Sequence, residues 1–316
     1  MKKLLLLFLP VLFFSCQKLD EVSYNYIPHE TNTDITVEDI YYVEGLGMIA
    51  CGGNRYTDGL WLRKEDHEEN WISDSITDKA LYKIRFVNPL FGLVIGFDGR
   101  IFRTLDGGEN WSLYQYGNYH PFQDISIAND TVIYLAGGKS YSNGQITKTI
   151  SGGTHWESSS FEPAIRCLHF FDKDTGFAAG YGVLMFTHNG GESWHNTAIQ
   201  GDFFIDMFFV DRNAGFLLGY QGKVLKTVDG GESWQTVLEG NRLFSSRNNP
   251  ESIHFYDKNH GMITGRNGFT AYTSNSGKTW KKINGIPDIH FKSVFMISTT
   301  SAYLAGENGT IIEVFP

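Results

Sequence analysis

The chain has 316 residues, 15% of them aromatic, with 35 glycines, 8 prolines and a formal net charge of −9. That composition excludes a disordered chain and describes a turn-rich β protein, long enough for one large all-β domain or two small ones. The acidic balance, with no basic stripe, argues against nucleic acid as a partner. Three cysteines, Cys16, Cys51 and Cys167, are an odd count that argues against a disulfide framework.

Lys2 and Lys3 precede an apolar run over residues 4–14 that ends in Ser15-Cys16. Eleven residues are too few to span a bilayer as a helix and fit the apolar core of a signal peptide. A small residue before a cysteine resembles a bacterial lipobox, with Phe13 where a Leu is usual and Cys16 as the lipidated first residue of the mature chain. The other reading is an ordinary cleaved signal followed by a chance cysteine. Residues 1–15 are therefore expected to be a lipoprotein signal and 16–37 a linker with an N-terminal strand. A lipid anchor implies a cell-envelope protein that folds in water and touches membrane only through that anchor. Gln17 after the cysteine, in place of the Asp that favours inner-membrane retention in some bacteria, points to the outer membrane, on its periplasmic or outer face.

Residues 22–28 alternate apolar and polar as a strand does. Beyond them one grammar recurs: an apolar strand, a second one bracketed by glycines (residues 92–96, 176–180, 215–219 and 261–265), a tight turn such as Asp98-Gly99 or Asn267-Gly268, then a third strand. Asx-Gly pairs supply the positive φ that hairpin turns demand. Each third strand runs into a box: Thr104, Asp106, Gly107, Gly108 and Trp111; Thr149, Ser151, Gly152, Gly153 and Trp156; Thr187, Asn189 and Trp194; Thr227, Asp229 and Trp234; Thr273, Asn275 and Trp280. A degraded copy ends in Trp71, and the six tryptophans fall 40, 45, 38, 40 and 46 residues apart. A period near 40 with four short antiparallel strands per unit predicts a β-propeller.

The repeats fall at 38–75, 81–116, 123–160, 165–200, 204–240, 250–285 and 291–316. The seventh lacks its box and fourth strand. The fold expected is all-β, a seven-bladed propeller over 38–316 whose ring the N-terminal strand closes, removing two open sheet edges.

The phrase [Ser/Thr]-x-Asp-x-Gly-x-x-Trp resembles the Asp-box, or BNR repeat, of sialidases, tandem-propeller xyloglucanases and sortilin-type receptors. The fuller form, with Gly-x-x-Gly and Thr-x-Asp-Gly-Gly-x-x-Trp on a 40-residue period, resembles the seven-bladed propellers of the Ycf48 family of photosystem II stability and assembly factors. The resemblance implies that each box sits between third and fourth strands, away from the ligand funnel. Asp106, Ser151, Asn189, Asp229 and Asn275 are then structural turn residues, and Trp111, Trp156, Trp194, Trp234 and Trp280 pack between strands or blades.

Catalytic phrases are missing. Sialidase chemistry would require an Arg-Ile-Pro phrase ahead of the boxes, which this sequence lacks, and xyloglucanases work between two propellers. No Ser-x-x-Lys, Gly-x-Ser-x-Gly, His-Glu-x-x-His or phosphate-loop phrase occurs. His169 and His254 hold equivalent first-strand positions, as metal ligands in the channel or as structural histidines, and Cys51 and Cys167 read as buried thiols. No catalytic residue, metal or cofactor is expected.

Binding is the better-motivated function. Aligning the repeats on the second-strand glycine and counting about nine and ten positions back places Glu38/Asp39, Tyr82/Lys83 and Gln123/Asp124 at the funnel mouth, followed by Arg166/Cys167, Ile205/Asp206, Glu251/Ser252 and Lys292/Ser293. Residues 114–122 carry Tyr114, Tyr116, Tyr119, His120 and Phe122, and residues 243–250 carry Phe244 and Arg247. Aromatic rings and arginines on loops suit protein interfaces, and tyrosine faces also stack on sugars. Candidate binding residues are therefore Tyr116, Tyr119, His120, Phe122, Asp124, Arg166, Asp206, Phe244, Arg247 and Lys292. The expected activity is a non-catalytic scaffold for another envelope protein or complex; the alternative is a glycan-binding or glycan-cleaving propeller.

Overall fold

Glycine-bracketed apolar strands joined by tight turns zip into antiparallel hairpins, and nearly all of this chain does so. The structure, a computed structural model, describes residues 20–66, 68, 70–240 and 249–316. Cys16, Phe244 and Arg247 lie outside the described residues. The fold is all-β, and the single helical turn among those residues is Phe97–Gly99.

Each repeat opens with an inner strand. These are Val37–Val43, Leu81–Phe86, Phe122–Ile127 and Ile165–Phe170 in repeats one to four, and Pro250–Phe255 and Phe291–Met296 in repeats six and seven. Repeats one, two and three form four-stranded antiparallel sheets in simple sequence order. Repeats four and five share one six-stranded sheet. Its strand His195–Phe209 ends one repeat and begins the next, passing Gly201 at φ +90°.

The N-terminal segment departs from expectation. It was read as one strand filling the last repeat. Instead Asp20–Ser23 runs parallel to Lys281–Asn284 as a fifth strand on repeat six, and only Asn25–His29 pairs with Ile311–Phe315. Tyr24 marks the change. Its amide N–H donates to the Asn284 carbonyl at 2.9 Å, and its ring is buried with Ile283, Phe291 and Ile312. Burying that ring joins two sheets that would otherwise meet through fewer apolar atoms.

The core is distributed as apolar seams between neighbouring repeats. Ile49 and Trp61 of repeat one pack with Ile84, Phe86 and Val94 of repeat two, and Val37 and Ile40 pack with Tyr303 and Ala305 of repeat seven. A phenylalanine at the end of the inner strand anchors several repeats. Phe86, Phe170, Phe209 and Phe255 each lie over the first glycine of the second strand, where a Cβ would overlap the ring. The box tryptophan of the same repeat meets that ring edge-on: Trp111 at 6.2 Å, Trp194 at 5.9 Å, Trp234 at 5.9 Å and Trp280 at 6.1 Å. Edge-to-face contacts of this kind are favoured by the ring quadrupole.

Each box is closed by its own hydrogen bonds. Asp106 Oδ1 accepts the Asn110 N–H at 2.9 Å, and Thr104 Oγ1 accepts the Gly108 N–H at 2.9 Å. Ser151, Asn189, Asp229 and Asn275 accept the equivalent amides at 2.9–3.0 Å. The threonine's part in the turn was not anticipated. Trp156 and Trp280 are buried, whereas Trp111, Trp194 and Trp234 are only half-buried.

Candidate functional site

At one place in every inner strand the pairing register slips. Val37 faces Gly52 and Asp39 faces Cys51, leaving Glu38 without a partner. The same slip singles out Tyr82, Gln123 and Arg166, and then Ile205, Glu251 and Lys292. Such a bulge re-aims a side chain out of the pleat. The second-strand glycine makes it possible. A Cβ on Gly52, Gly96 or Gly180 would overlap the carbonyl oxygen of Thr36, Ala80 or Ala164, which is engaged by the amide one residue beyond the glycine.

The bulge residues and those that follow them wall a cavity of about 360 Å³. All seven residue pairs placed by the glycine alignment lie on this wall. The boxes lie at the far ends of the strands, since Gly92 faces both Phe86 at the end of its inner strand and Thr104 at the start of its box.

The layer of residues after the bulges ties the sheets together. Inner strands turn one edge to the channel, and amides there need acceptors. Asp39 Oδ2 accepts the Ile84 N–H at 3.2 Å, Asp124 Oδ2 that of Leu168 at 2.9 Å, and Asp206 Oδ2 that of Ile253 at 2.8 Å, each in the next repeat. Ser293 Oγ accepts the Ile40 N–H at 3.3 Å, joining the last repeat to the first. Lys83 and Cys167 face Ile125 and Met207 but offer no comparable acceptor. There Asp124 Oδ1 and Asp206 Oδ1 take those amides themselves, at 2.9 and 3.0 Å. Asp124 and Asp206, expected as binding residues, are thus engaged in holding repeats together.

This layer is charged. Arg85 Nη1 donates to Asp39 Oδ2 at 2.5 Å, and Lys83 Nζ lies 3.6 Å from Asp39 and 3.8 Å from Asp124. Burial raises the Asp39 carboxyl, but Arg85 and Lys83 outweigh it and hold that group below the usual range. Asp124 goes the other way: burial pushes its carboxyl up against the pull of Lys83 and Arg85. Cys51 and Cys167 are buried free thiols whose acidity burial suppresses strongly, which makes them poor nucleophiles.

Above it, Arg166 Nη1 donates to Gln123 Oε1 at 2.6 Å, and Arg55 lies 5.3 Å over the Phe97 ring. Across the opening Lys292 is 3.9 Å from Glu38, and Glu251 lies 2.9 Å from His290 Nε2. Burial raises the Glu38 carboxyl, which Lys292 only partly offsets. Below it, Tyr41, Phe208, His254 and Phe295 line a second cavity of about 390 Å³. His254 Nδ1 accepts the Met296 N–H at 3.2 Å, and burial, then Arg85 and Lys83, lowers its pKa to about 3. Burial lowers that of His169 to about 4. Among the described residues no three His, Cys, Asp or Glu side chains gather to hold a metal.

The aromatic loop divides. Phe122 is fully buried with Ile95, Ile125 and Leu135, so it is a core residue and not a contact: it precedes the bulge and points into the sheet. Tyr116 is half-buried and packs edge-on to Phe122 at 6.2 Å, while His120 is half-buried and Tyr119 is 59% exposed. The larger exposed cluster was missed. Tyr141 and Tyr220, in the turns after the second strands of repeats three and five, and Tyr181, within the long strand Gly176–Thr187, gather around Phe203 beside a cavity of about 570 Å³. Ring centroids are 5.2 Å apart for Tyr141–Tyr181, 5.7 Å for Tyr181–Phe203 and 6.0 Å for Phe203–Tyr220. Their common mark in the sequence is a tyrosine shortly after the glycine that ends the second apolar stretch, which does not reveal that three repeats bring them together.

Residues 199–314 match the model of the family described as photosynthesis system II assembly factor YCF48. Over that span the chain is Ycf48-like. It is also 31% identical over 125 residues to the photosystem II assembly lipoprotein Ycf48 of Synechococcus sp. (strain CC9902), a match covering 36% of each chain. The chain thus spans about a third of the length of that curated relative. In three dimensions it resembles YCF48 from Cyanidioschyzon merolae, with a TM-score of 0.70 at 16% identity over 92% of this chain and 99% of that one. It also resembles the WD40 β-propeller domain of Doa1, with a TM-score of 0.69 at 13% identity over 92% and 96%. At such identities the likeness is one of fold, a β-propeller.

Proposed function

We propose that this chain is a closed seven-bladed propeller, lipid-anchored through Cys16 in the outer membrane of a bacterial cell envelope, that docks a segment of another envelope protein and performs no catalysis. Closure is supported by the pairing of Asn25–His29 with Ile311–Phe315 and by the Ser293 to Ile40 bond. The scaffold reading is supported by the Ycf48-like span, since the curated relative is named an assembly lipoprotein.

One observation carries the docking face. Tyr141, Tyr181 and Tyr220 are 66%, 51% and 39% exposed, contiguous, and on the funnel side. Exposed aromatic patches of this kind mark interaction sites, and tyrosine supplies contact area at low entropic cost. Three of the five funnel acids, Asp39, Asp124 and Asp206, are engaged with backbone amides and so are taken out of glycosidase work. The test is in-membrane crosslinking and pull-down with the native chain and with Tyr141→Ala/Tyr181→Ala. The expected result is one recurrent protein partner that the double variant loses. Equal capture by the variant, or no partner together with glycan hydrolysis, overturns the reading.

A further inference from the structure

The funnel cavity carries a pattern that the docking face does not use. Its charges are only partly segregated around the ring, with Lys292 standing among the acids. Arg55 and Arg166 lean onto Tyr82 and Gln123 on one side, and Glu38 and Glu251 stand on the other. Neither guanidinium group makes a direct salt bridge among the described residues: Arg166 is hydrogen-bonded to Gln123 and acts on Glu38 and Glu251 only through space, and Arg55 is held by tyrosines and the Phe97 face. Glu38 is only loosely matched, whereas Glu251 is engaged on one oxygen. Glu38 has Lys292 at 3.9 Å, beyond hydrogen-bond reach, and the contacts of Glu251 to His290 and Arg266 fall on Oε1.

The wall as a whole holds four cationic side chains against five carboxylates. A simple anion entering it meets Asp39 and Asp124 on the floor, and a simple cation meets Lys83 between them. A net-neutral dipole avoids both penalties. We infer that this cavity binds a small zwitterion of the short-peptide class, its carboxylate on Arg55 and Arg166 and its ammonium on Glu38 and Glu251. A guanidinium fork matches a carboxylate in geometry, and charge-assisted hydrogen bonds are the strong ones. Gln123 already fixes Arg166, so that side chain has little order left to lose on binding. The volume, about 360 Å³, is that of a small-ligand pocket.

The test is calorimetric titration of the purified full chain with alanyl-alanine, its N-acetyl form and its C-terminal amide. Saturable binding of the free dipeptide is expected, with each blocked form at least tenfold weaker. Arg166→Gln, checked for a cooperative melt, weakens the free dipeptide at least tenfold but leaves the C-terminal amide little changed. Should that variant fail to fold, Arg55→Gln takes its place. No saturable binding of the dipeptide up to about 10 mM, or equal binding of the blocked forms, overturns the inference. Tyr141→Ala/Tyr181→Ala leaves this titration unchanged, so failure here is separable from failure of the docking face.

Discussion

Asp206 Oδ2 accepts both the amide N–H of Ile253 at 2.8 Å and the hydroxyl of Ser252 at 3.0 Å, so one carboxylate of repeat five clamps the inner strand of repeat six. Its other oxygen takes the Met207 amide at 3.0 Å. The same device at Asp39 and Asp124 shows what these acids are for: they satisfy amides that no strand pairs.

Replacing Asp206 with alanine strands those donors. We expect a loss of about 1–3 kcal/mol in stability, the cost of leaving a polar group without its partner. Urea unfolding at neutral pH reads it directly. An unchanged midpoint would mean that water replaces the carboxylate and that the clamp is dispensable.

The box tryptophans differ in burial, and their substitutions should rank accordingly. Trp280 is buried against Phe255, so Trp280→Ala should cost about 3–5 kcal/mol. Trp234 is half-buried and should cost clearly less. Thermal or urea melts of the two variants side by side test the order. A reversed order would show that the edge-on contact to Phe209, and not burial, sets the value.

His169 makes stability depend on pH. Burial lowers its pKa from about 6.5 to about 4, so the folded chain keeps it neutral where the unfolded chain protonates it. A depressed histidine contributes stability that is fully present above pH 6.5 and is lost as pH falls toward 4. The loss amounts to about 3 kcal/mol if no other group compensates. His254 acts in the same direction. Unfolding free energies for the native chain and His169→Phe between pH 7 and 4 should show a shallower fall in the variant. Parallel curves would mean that the ring is hydrated in the folded state.

Much of the fold was legible because it is local. Asp106, Gly107, Gly108 and Trp111 form a turn from residues within eight positions, and its recurrence fixed where every third strand ends. The site was legible in part for a related reason. The first glycine of the second strand, such as Gly92 or Gly176, lies a fixed number of positions after the bulge, so counting back from it reached the residues on the funnel wall. What those residues do was not legible. Asp124 and Asp206 look like binding acids in the sequence, and their amide partners lie 44 and 47 residues away. Phe122 looked like part of an exposed aromatic loop, but lying opposite Gly137 ahead of the bulge turned it inward.

The sequence by itself determined an all-β array on a period near 40, with self-capped boxes on one side and bulges on the other, because turns and bulges are set by neighbouring residues. Only the tertiary structure decided that Asp20–Ser23 laces onto repeat six, that repeats four and five share a sheet, and that Tyr141, Tyr181 and Tyr220 form one surface. Those outcomes depend on how strands far apart in the chain cross the seams between repeats. A repeating sequence specifies each repeat well and says little about which side chains of two neighbours will meet.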